Sequence, residues 1–145
     1  DTVSQIAEAC DAIVRSNMAE TRRILDTLTT GYPLVLVSNF YGNIHAVLQS
    51  YGIDGYFKDV IESAVVGIRK PDPQIFALGI EALALSPDEV LVVGDSYSKD
   101  VIPAHSLGCH TIWLKGKGWN TSDESIDTPC ADRVIKHLAE VLESV

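Results

Sequence analysis

Three polar side chains of different chemistry stand at or just after the ends of predicted strands. Ser38 ends the apolar run "LVLVS", Lys70 follows "VVGIR", and Asp95 follows "VLVVG". A hydroxyl group, with the N–H of Asn39 beside it, can hydrogen-bond a phosphoryl oxygen, and an ammonium group supplies a compact positive charge for it. A carboxylate on a glycine turn can ligate a hard cation such as Mg²⁺. These residues predict a clamp for a phosphoryl group.

A second carboxylate, Asp100, follows Asp95 at a distance of a few residues. The neighbours of Asp95 are apolar, so we predict a buried carboxylate that needs a cation or several hydrogen-bond donors. Asp100 fits an N-cap, which would place Pro103 in the first turn of the next helix, where its missing N–H is harmless. Two of these residues also have purely structural interpretations. The Ser38 hydroxyl could hydrogen-bond the backbone at the end of its strand, and Lys70 could be a solvated surface lysine.

The elements that must position these residues alternate between strand and helix. Helical spacing occurs over residues 3–14 and again from Met18 to Leu28, and it precedes the strand that ends at Ser38. Downstream, Asp72 and Pro73 predict the start of a helix that runs to about residue 83. Alternation of this kind predicts an α/β fold with a doubly wound parallel sheet.

The later segments continue the pattern. "DVIESAVVG" is compatible with a strand, "VLVVG" and "CHTIWL" read as buried strands, and the C-terminal stretch predicts a short strand or turn followed by a helix. Ligands of such sheets bind beyond the carboxyl ends of the strands. Ser38, Lys70 and Asp95 are therefore expected at one edge.

Length and charge exclude several classes of protein. The chain has 145 residues, enough for one domain, and a net charge of −9 from 20 acidic and 11 basic residues. This balance argues against nucleic-acid binding and favours a divalent cation as mediator for an anionic ligand. The sequence contains no apolar run of the roughly 18 residues that a membrane helix needs, and no signal peptide.

The cysteines predict a cellular compartment. Cys10, Cys109 and Cys130 are scattered, without the spacing of a metal site. An odd, scattered set is typical of reduced thiols, so we predict a cytoplasmic protein.

Three segments resemble motifs of one known family. "LVLVSN", "GIRKPDPQIF" and "VLVVGDSYSKDVIPAHSLG" are similar to the second, third and fourth motifs of the haloacid dehalogenase-like hydrolases, in the same order. The resemblance extends roughly over residues 18–145, which it identifies as the C-terminal part of a Rossmann-like core. It identifies residues 1–17 as the end of a helical cap domain.

The resemblance also implies roles. Ser38, with Asn39, would bind the phosphoryl group, and Lys70 would steady that group and the nucleophile. Asp95 would ligate Mg²⁺, and Asp100 would support the site through hydrogen bonds, so that Lys70 and Asp100 count as catalytic. The prevalence of phosphatases in the family favours hydrolysis of a small phosphate ester over dehalogenation.

One motif of the family has no counterpart here. It is an apolar strand ending in DxD, whose first aspartate is the nucleophile that forms an aspartyl-phosphate. The family places this strand between those ending in Ser38 and Asp95. We therefore expect the C-terminal portion of a longer hydrolase, inactive alone. Without that strand, the backbone groups of its two neighbours would be unpaired. We expect the position to be filled by a separate N-terminal fragment or by a strand-swapped homo-oligomer, or the two flanking strands to close up and pair with each other.

Other functions fit parts of the sequence. A noncatalytic binding module would keep the fold and use its surface for a partner. A receiver domain uses similar residues, but its acids come first and its Lys-Pro comes after the Ser/Thr strand. A dinucleotide-binding fold would need GxGxxG after a strand, which is absent. Trp119 and Tyr41 are candidates either for lining a substrate entrance or for packing.

Overall fold

The computed structural model describes residues 2–116 and 127–145. Most of the predicted polar loop at residues 115–130 lies outside the described residues, and so does Trp119. The bounds of the helices and strands are α1 Thr2–Thr29, β1 Val35–Ser38, α2 Ile44–Ser50, β2 Asp59–Glu62, α3 Ser63–Val66, α4 Gln74–Leu83, β3 Leu91–Gly94, α5 Ile102–Ser106, β4 His110–Leu114 and β5 Arg133–Ile135.

Helix α1 is one continuous helix where the sequence predicts two. Its middle contains no Gly or Pro, and the side chain of Ser16 donates to the carbonyl oxygen of Ile13 within the helix (2.8 Å). The described first half of α1 is exposed, and its first fully buried residues are Ile24 and Leu25. The assignment of residues 1–17 to a cap domain stays a prediction.

The strands form two parallel sheets. One consists of β1 and β2, and the other has the order β3-β4-β5. Within the described part of the chain, β1 and β3 do not pair with each other. The expected α/β class with parallel strands is confirmed, whereas closure of the two flanking strands is wrong.

Helices cover both faces of the sheets, as a doubly wound fold requires. On one face, Val35, Val37 and Val92 pack with Ile75 and Phe76 of α4. On the other face, Leu28 of α1 packs with residues of the second sheet and of the C-terminal 3₁₀ helix, namely Leu91, Val93, Ile112, Leu114, Ile135, Leu138 and Val141. Side chains of β1 and β3 thus alternate between the two layers, as the two-residue period of a strand dictates.

Local signals in the sequence explain several helix ends. Helix α4 begins one residue later than predicted, with Pro73 and not Asp72 at its N-cap, and it ends at Leu83. The side chain of Asp72 still accepts from the N–H of Gln74 (2.9 Å). Gly52 follows α2 with a positive φ of 65°, a conformation that glycine adopts without strain. The C-terminal helix differs from expectation, since Leu138–Glu143 is a short 3₁₀ helix.

All three cysteines are free, and none of the described helices is long and apolar enough to cross a membrane. Cys10 is exposed on α1, whereas Cys109 is 5% exposed and packs with Ile80 and Val90. Burial raises the pKa of the Cys109 thiol. Its reactive thiolate is therefore scarcer at a given pH than that of an unburied thiol.

We expect iodoacetamide at pH 8 to modify Cys10 well before Cys109 in the folded chain, because access and thiolate fraction both protect Cys109. Peptide mapping by mass spectrometry measures the two rates, and Cys10→Ser is the control that isolates the slower reaction. Denaturation in urea should remove the difference. Equal rates in the folded chain would contradict the burial of Cys109.

Candidate active site

An ion pair lies where the carboxyl ends of the two sheets meet. The Lys70 ammonium nitrogen is 2.6 Å from Oδ1 of Asp100. The Lys70 side chain is 17% exposed and that of Asp100 is 5% exposed. Lys70 precedes α4, and Asp100 lies in the turn after β3. The pair therefore connects segments associated with different sheets.

The side chain of Asn39 fixes the main chain of Lys70 at two points. Its Nδ2 donates to the carbonyl oxygen of Lys70 (3.0 Å), and its Oδ1 accepts from the N–H of Lys70 (2.8 Å). Asn39 directly follows β1, so this clamp ties Lys70 to the end of that strand. The sequence predicted only a contribution of the Asn39 backbone to phosphoryl binding and missed the role of its side chain.

Asp100 is not the N-cap that the sequence predicted. Ser96 caps the π-helical turn Tyr97–Val101, with its hydroxyl accepting from the N–H of Lys99 (3.3 Å). Asp100 lies inside this turn, where its Oδ2 accepts from the N–H of Ser96 (3.0 Å). Pro103 lies in the first turn of the following helix α5, as predicted, a position that tolerates proline.

The tight approach of Asp100 to β3 requires a residue without a side chain at position 94. A Cβ atom added to Gly94 would lie 2.3 Å from the Cβ of Asp100. That distance is far inside van der Waals contact. Gly94 therefore allows the buried carboxylate to sit against the end of its own strand.

Asp95 differs from the sequence-based expectation of a buried carboxylate. It is exposed, and its carbonyl oxygen accepts from the indole N–H of Trp113 (3.1 Å). Asp100 is the buried acid of the pair. Burial therefore does not explain Asp95, whose carboxylate has no hydrogen-bond or ionic partner within the described residues.

A magnesium ion fits this site only in part. Mg²⁺ is held by one or two carboxylates together with water and substrate phosphate. Asp95 offers one uncommitted carboxylate, while Asp100 is engaged by Lys70 and the N–H of Ser96. The described residues contain no cluster of three or more His, Cys, Asp or Glu side chains suited to a metal. Asp95 can serve as one ligand but does not form a metal site alone.

Ser38 is the last residue of β1, and a buried carboxylate supports the loop that follows it. Glu62, which is 2% exposed, accepts from the N–H groups of Gly42 (2.6 Å) and Ile44 (3.3 Å). Sequence reasoning missed Glu62, although an acid directly after the apolar residues of "DVIE" was a usable signal. Tyr41 on this loop is 90% exposed, which argues against a packing role.

The sequence matches a known family over most of its length. The family model described as haloacid dehalogenase-like hydrolase matches residues 4–108. The chain belongs to the haloacid dehalogenase-like hydrolases. Membership in this family agrees with the resemblance of the three motifs and excludes the receiver-domain alternative.

Relatives of this hydrolase include named phosphatases. It is 32% identical to a phosphoserine phosphatase of Thermus thermophilus, over 86% of this chain and 49% of the relative. It is 33% identical to a glyceraldehyde 3-phosphate phosphatase of Pyrococcus furiosus, over 63% of this chain and 38% of the relative. The chain thus spans half or less of the length of these relatives.

Solved structures of the family support the fold. The structure of a HAD phosphatase from Thermococcus onnurineus superimposes with a TM-score of 0.72 at 32% identity. The match covers 84% of this chain and 54% of that one. The described core of this hydrolase therefore has the Rossmann-like arrangement of the family.

We expect Lys70→Met to destabilise this hydrolase by about 3 kcal/mol, because it leaves the Asp100 carboxylate buried without its counter-charge. Urea unfolding at constant m-value measures the loss. Adding Asp100→Asn should restore part of it, since the unpaired charge is then removed. Arg15→Met breaks an exposed pair with Asp11 and is the control, for which no measurable change is expected. Equal effects of the two single substitutions would contradict the importance of the buried pair.

We expect Gly94→Ala to lower the free energy of unfolding by about 1–3 kcal/mol, because the new methyl group must displace Asp100. The matched control is Gly55→Ala, since no atom lies within 4 Å of a Cβ built there. Urea unfolding of both variants tests the comparison. An unchanged midpoint for Gly94→Ala would show that Asp100 does not sit against β3.

Proposed function

We propose that this hydrolase is the phosphate-clamping part of a Mg²⁺-dependent phosphatase that acts on a small phosphate ester through an aspartyl-phosphate. The observation that carries the proposal is the placement of Lys70, which Asn39 and Asp100 hold at the carboxyl edge beside Asp95. The relatives support the substrate class, since phosphoserine and glyceraldehyde 3-phosphate are both small phosphate esters.

Each residue has a distinct role in the proposal. The Ser38 hydroxyl and the Asn39 N–H would donate to phosphoryl oxygens, and Lys70 would neutralise the charge on the same group. Asp100 keeps the Lys70 side chain oriented and leaves its other protons for the phosphoryl group. Asp95 would ligate Mg²⁺, which neutralises phosphate charge when bound. Residues 1–17 would be the remnant of a cap domain.

The nucleophile is not part of the proposed clamp. The 145 residues contain no apolar strand that ends in DxD. The carboxylate that attacks phosphorus would therefore come from another segment, and we propose that this chain alone has no phosphatase turnover. The proposed setting is the cytoplasm.

We expect the chain alone to bind inorganic phosphate without hydrolysing p-nitrophenyl phosphate. Phosphate titration should shift the NMR amide signals of Ser38, Asn39 and Lys70, and Lys70→Met should weaken binding at least tenfold because the positive charge is lost. Magnesium titration should shift the Asp95 signal, and Asp95→Asn should remove that response.

The matched control for the lost charge is Lys99→Met, which removes an exposed lysine near the site and should leave phosphate affinity within twofold. Absence of phosphate shifts at Ser38 and Lys70 would overturn the clamp. Mg²⁺-dependent turnover by the chain alone, lost in Asp95→Asn, would overturn the proposal of inactivity.

A further inference from the structure

An exposed aromatic side chain stands next to the proposed phosphoryl clamp. No other large apolar or aromatic side chain of the described residues is as exposed as that of Tyr41, at 90%. It belongs to the loop of residues 39–43, which connects β1 with α2. Asn39 begins this loop and holds the main chain of Lys70. Because Asn39 and Tyr41 are two residues apart, their Cα atoms lie within roughly 7.6 Å of each other.

Side chains that follow β2 fix the backbone of this loop. The hydroxyl of Ser63 accepts from the N–H of Phe40 (3.1 Å) and donates to its carbonyl oxygen (3.3 Å). The buried carboxylate of Glu62 accepts from the N–H of Gly42 (2.6 Å). The backbone is therefore hydrogen-bonded directly before and directly after Tyr41, and the tyrosine projects from an anchored segment.

The shape of the loop does not depend on the tyrosine ring. Gly42 supplies the turn, with a positive φ of 96° that glycine adopts without strain. The ring of Tyr41 contacts that of Phe40, with centroids 5.5 Å apart and planes tilted by 52°, and is otherwise almost wholly exposed. An aromatic ring on an anchored backbone is a preorganised stacking surface, which loses little freedom when a ligand covers it.

The two segments at this edge of the first sheet carry no charge. Residues 38–44 contain no acidic or basic side chain, and neither do residues 63–68. Ser38 lies opposite Glu62 in the parallel register, so both segments leave the sheet side by side. Val65 on the second segment is 73% exposed and adds another apolar side chain. A group bound here would find apolar contacts and no ion pair.

We propose that Tyr41 is a specificity-determining residue, whose ring stacks on the leaving group of the phosphate ester. It selects esters whose leaving group is uncharged and presents a flat apolar face, as an aryl group does. The inference rests on the proposed function, to which it adds the class of leaving group.

The proposed contact separates two parts of the ester. Lys70 and Ser38 act on the phosphoryl group, whereas Tyr41 would touch only the group that leaves. A change at Tyr41 should therefore alter the affinity for one ester relative to another, and phosphoryl binding itself should stay the same. A charged leaving group would gain nothing comparable, because neither uncharged segment offers it a counter-charge.

Phenyl phosphate and methyl phosphate test the proposal, because these monoesters share the phosphoryl group and differ in the leaving group. NMR titration of the chain alone gives both dissociation constants from the Lys70 amide signal. We expect phenyl phosphate to bind at least fivefold more tightly and to shift the Tyr41 ring signals through its ring current. Choline phosphate, which carries a cation, should bind no more tightly than methyl phosphate.

Substitutions assign the preference to the ring. Tyr41→Ala should abolish the preference for phenyl phosphate and leave the affinity for methyl phosphate within twofold. Tyr41→Phe should retain the preference, since the ring is kept. The matched control is Tyr32→Ala, because Tyr32 is also exposed (49%) but precedes β1 at the opposite end of that strand. It should leave both affinities unchanged.

Several results would overturn the inference. Equal dissociation constants for phenyl and methyl phosphate would do so, as would a preference that survives Tyr41→Ala. A parallel loss of both affinities in Tyr41→Ala would assign the ring to loop structure instead. Tighter binding of choline phosphate that Tyr41→Ala removes would identify a cationic leaving group. If no ester and no inorganic phosphate shifts Ser38 and Lys70, the clamp itself is refuted, and the selectivity falls with it.

Discussion

The buried ion pair between Lys70 and Asp100 connects the parts of this protein that its sheets leave separate. No strand pairing joins β1 to β3 in the described residues. Asn39 fixes Lys70 to the end of the first sheet, and the N–H of Ser96 fixes Asp100 at the end of the second. The pair thus bridges the carboxyl edge with opposite charges that are largely shielded from water. Such a pair is costly to break from one side.

Apolar packing supports the same arrangement from both faces. Helix α4 packs against both β1 and β3. Its Gly79 lies close to β1, since a Cβ there would be 3.1 Å from a methyl group of Val37. On the other face, α1 places Leu25 with residues of the first sheet and Leu28 with those of the second. Side-chain packing therefore joins the two sheets where, among the described residues, no strand pairing joins β1 to β3.

Family membership establishes the family of this chain and its core fold, whereas the chemistry depends on the residues at the carboxyl edge. There the chain provides a positioned lysine, a hydroxyl at the end of β1 and one uncommitted carboxylate. This chain spans about half the length of the relatives that it matches.

Much of the fold and the site could be predicted from local patterns. Short apolar runs bounded by polar residues indicated β1, β3 and β4, and Asp72 with Pro73 indicated the start of α4. These signals act within a few residues, so the sequence alone is sufficient for them. The expected convergence of Ser38, Lys70 and Asp95 rested on a general property of parallel sheets. Lys70, however, does not end a strand, because α3 separates it from β2, and it is held at the carboxyl edge by Asn39 and Asp100.

Only the tertiary structure decided the remaining features of the site, because these features depend on contacts between residues that are distant in the chain. Asp100 fitted an N-cap by its spacing from Pro103, yet its partner is Lys70, some thirty positions earlier. Asp95 has apolar neighbours in sequence but is exposed, since burial depends on what packs over a strand end and not on adjacent letters. The clamp by the Asn39 side chain likewise joins residues that are 31 positions apart, so no local pattern could indicate it.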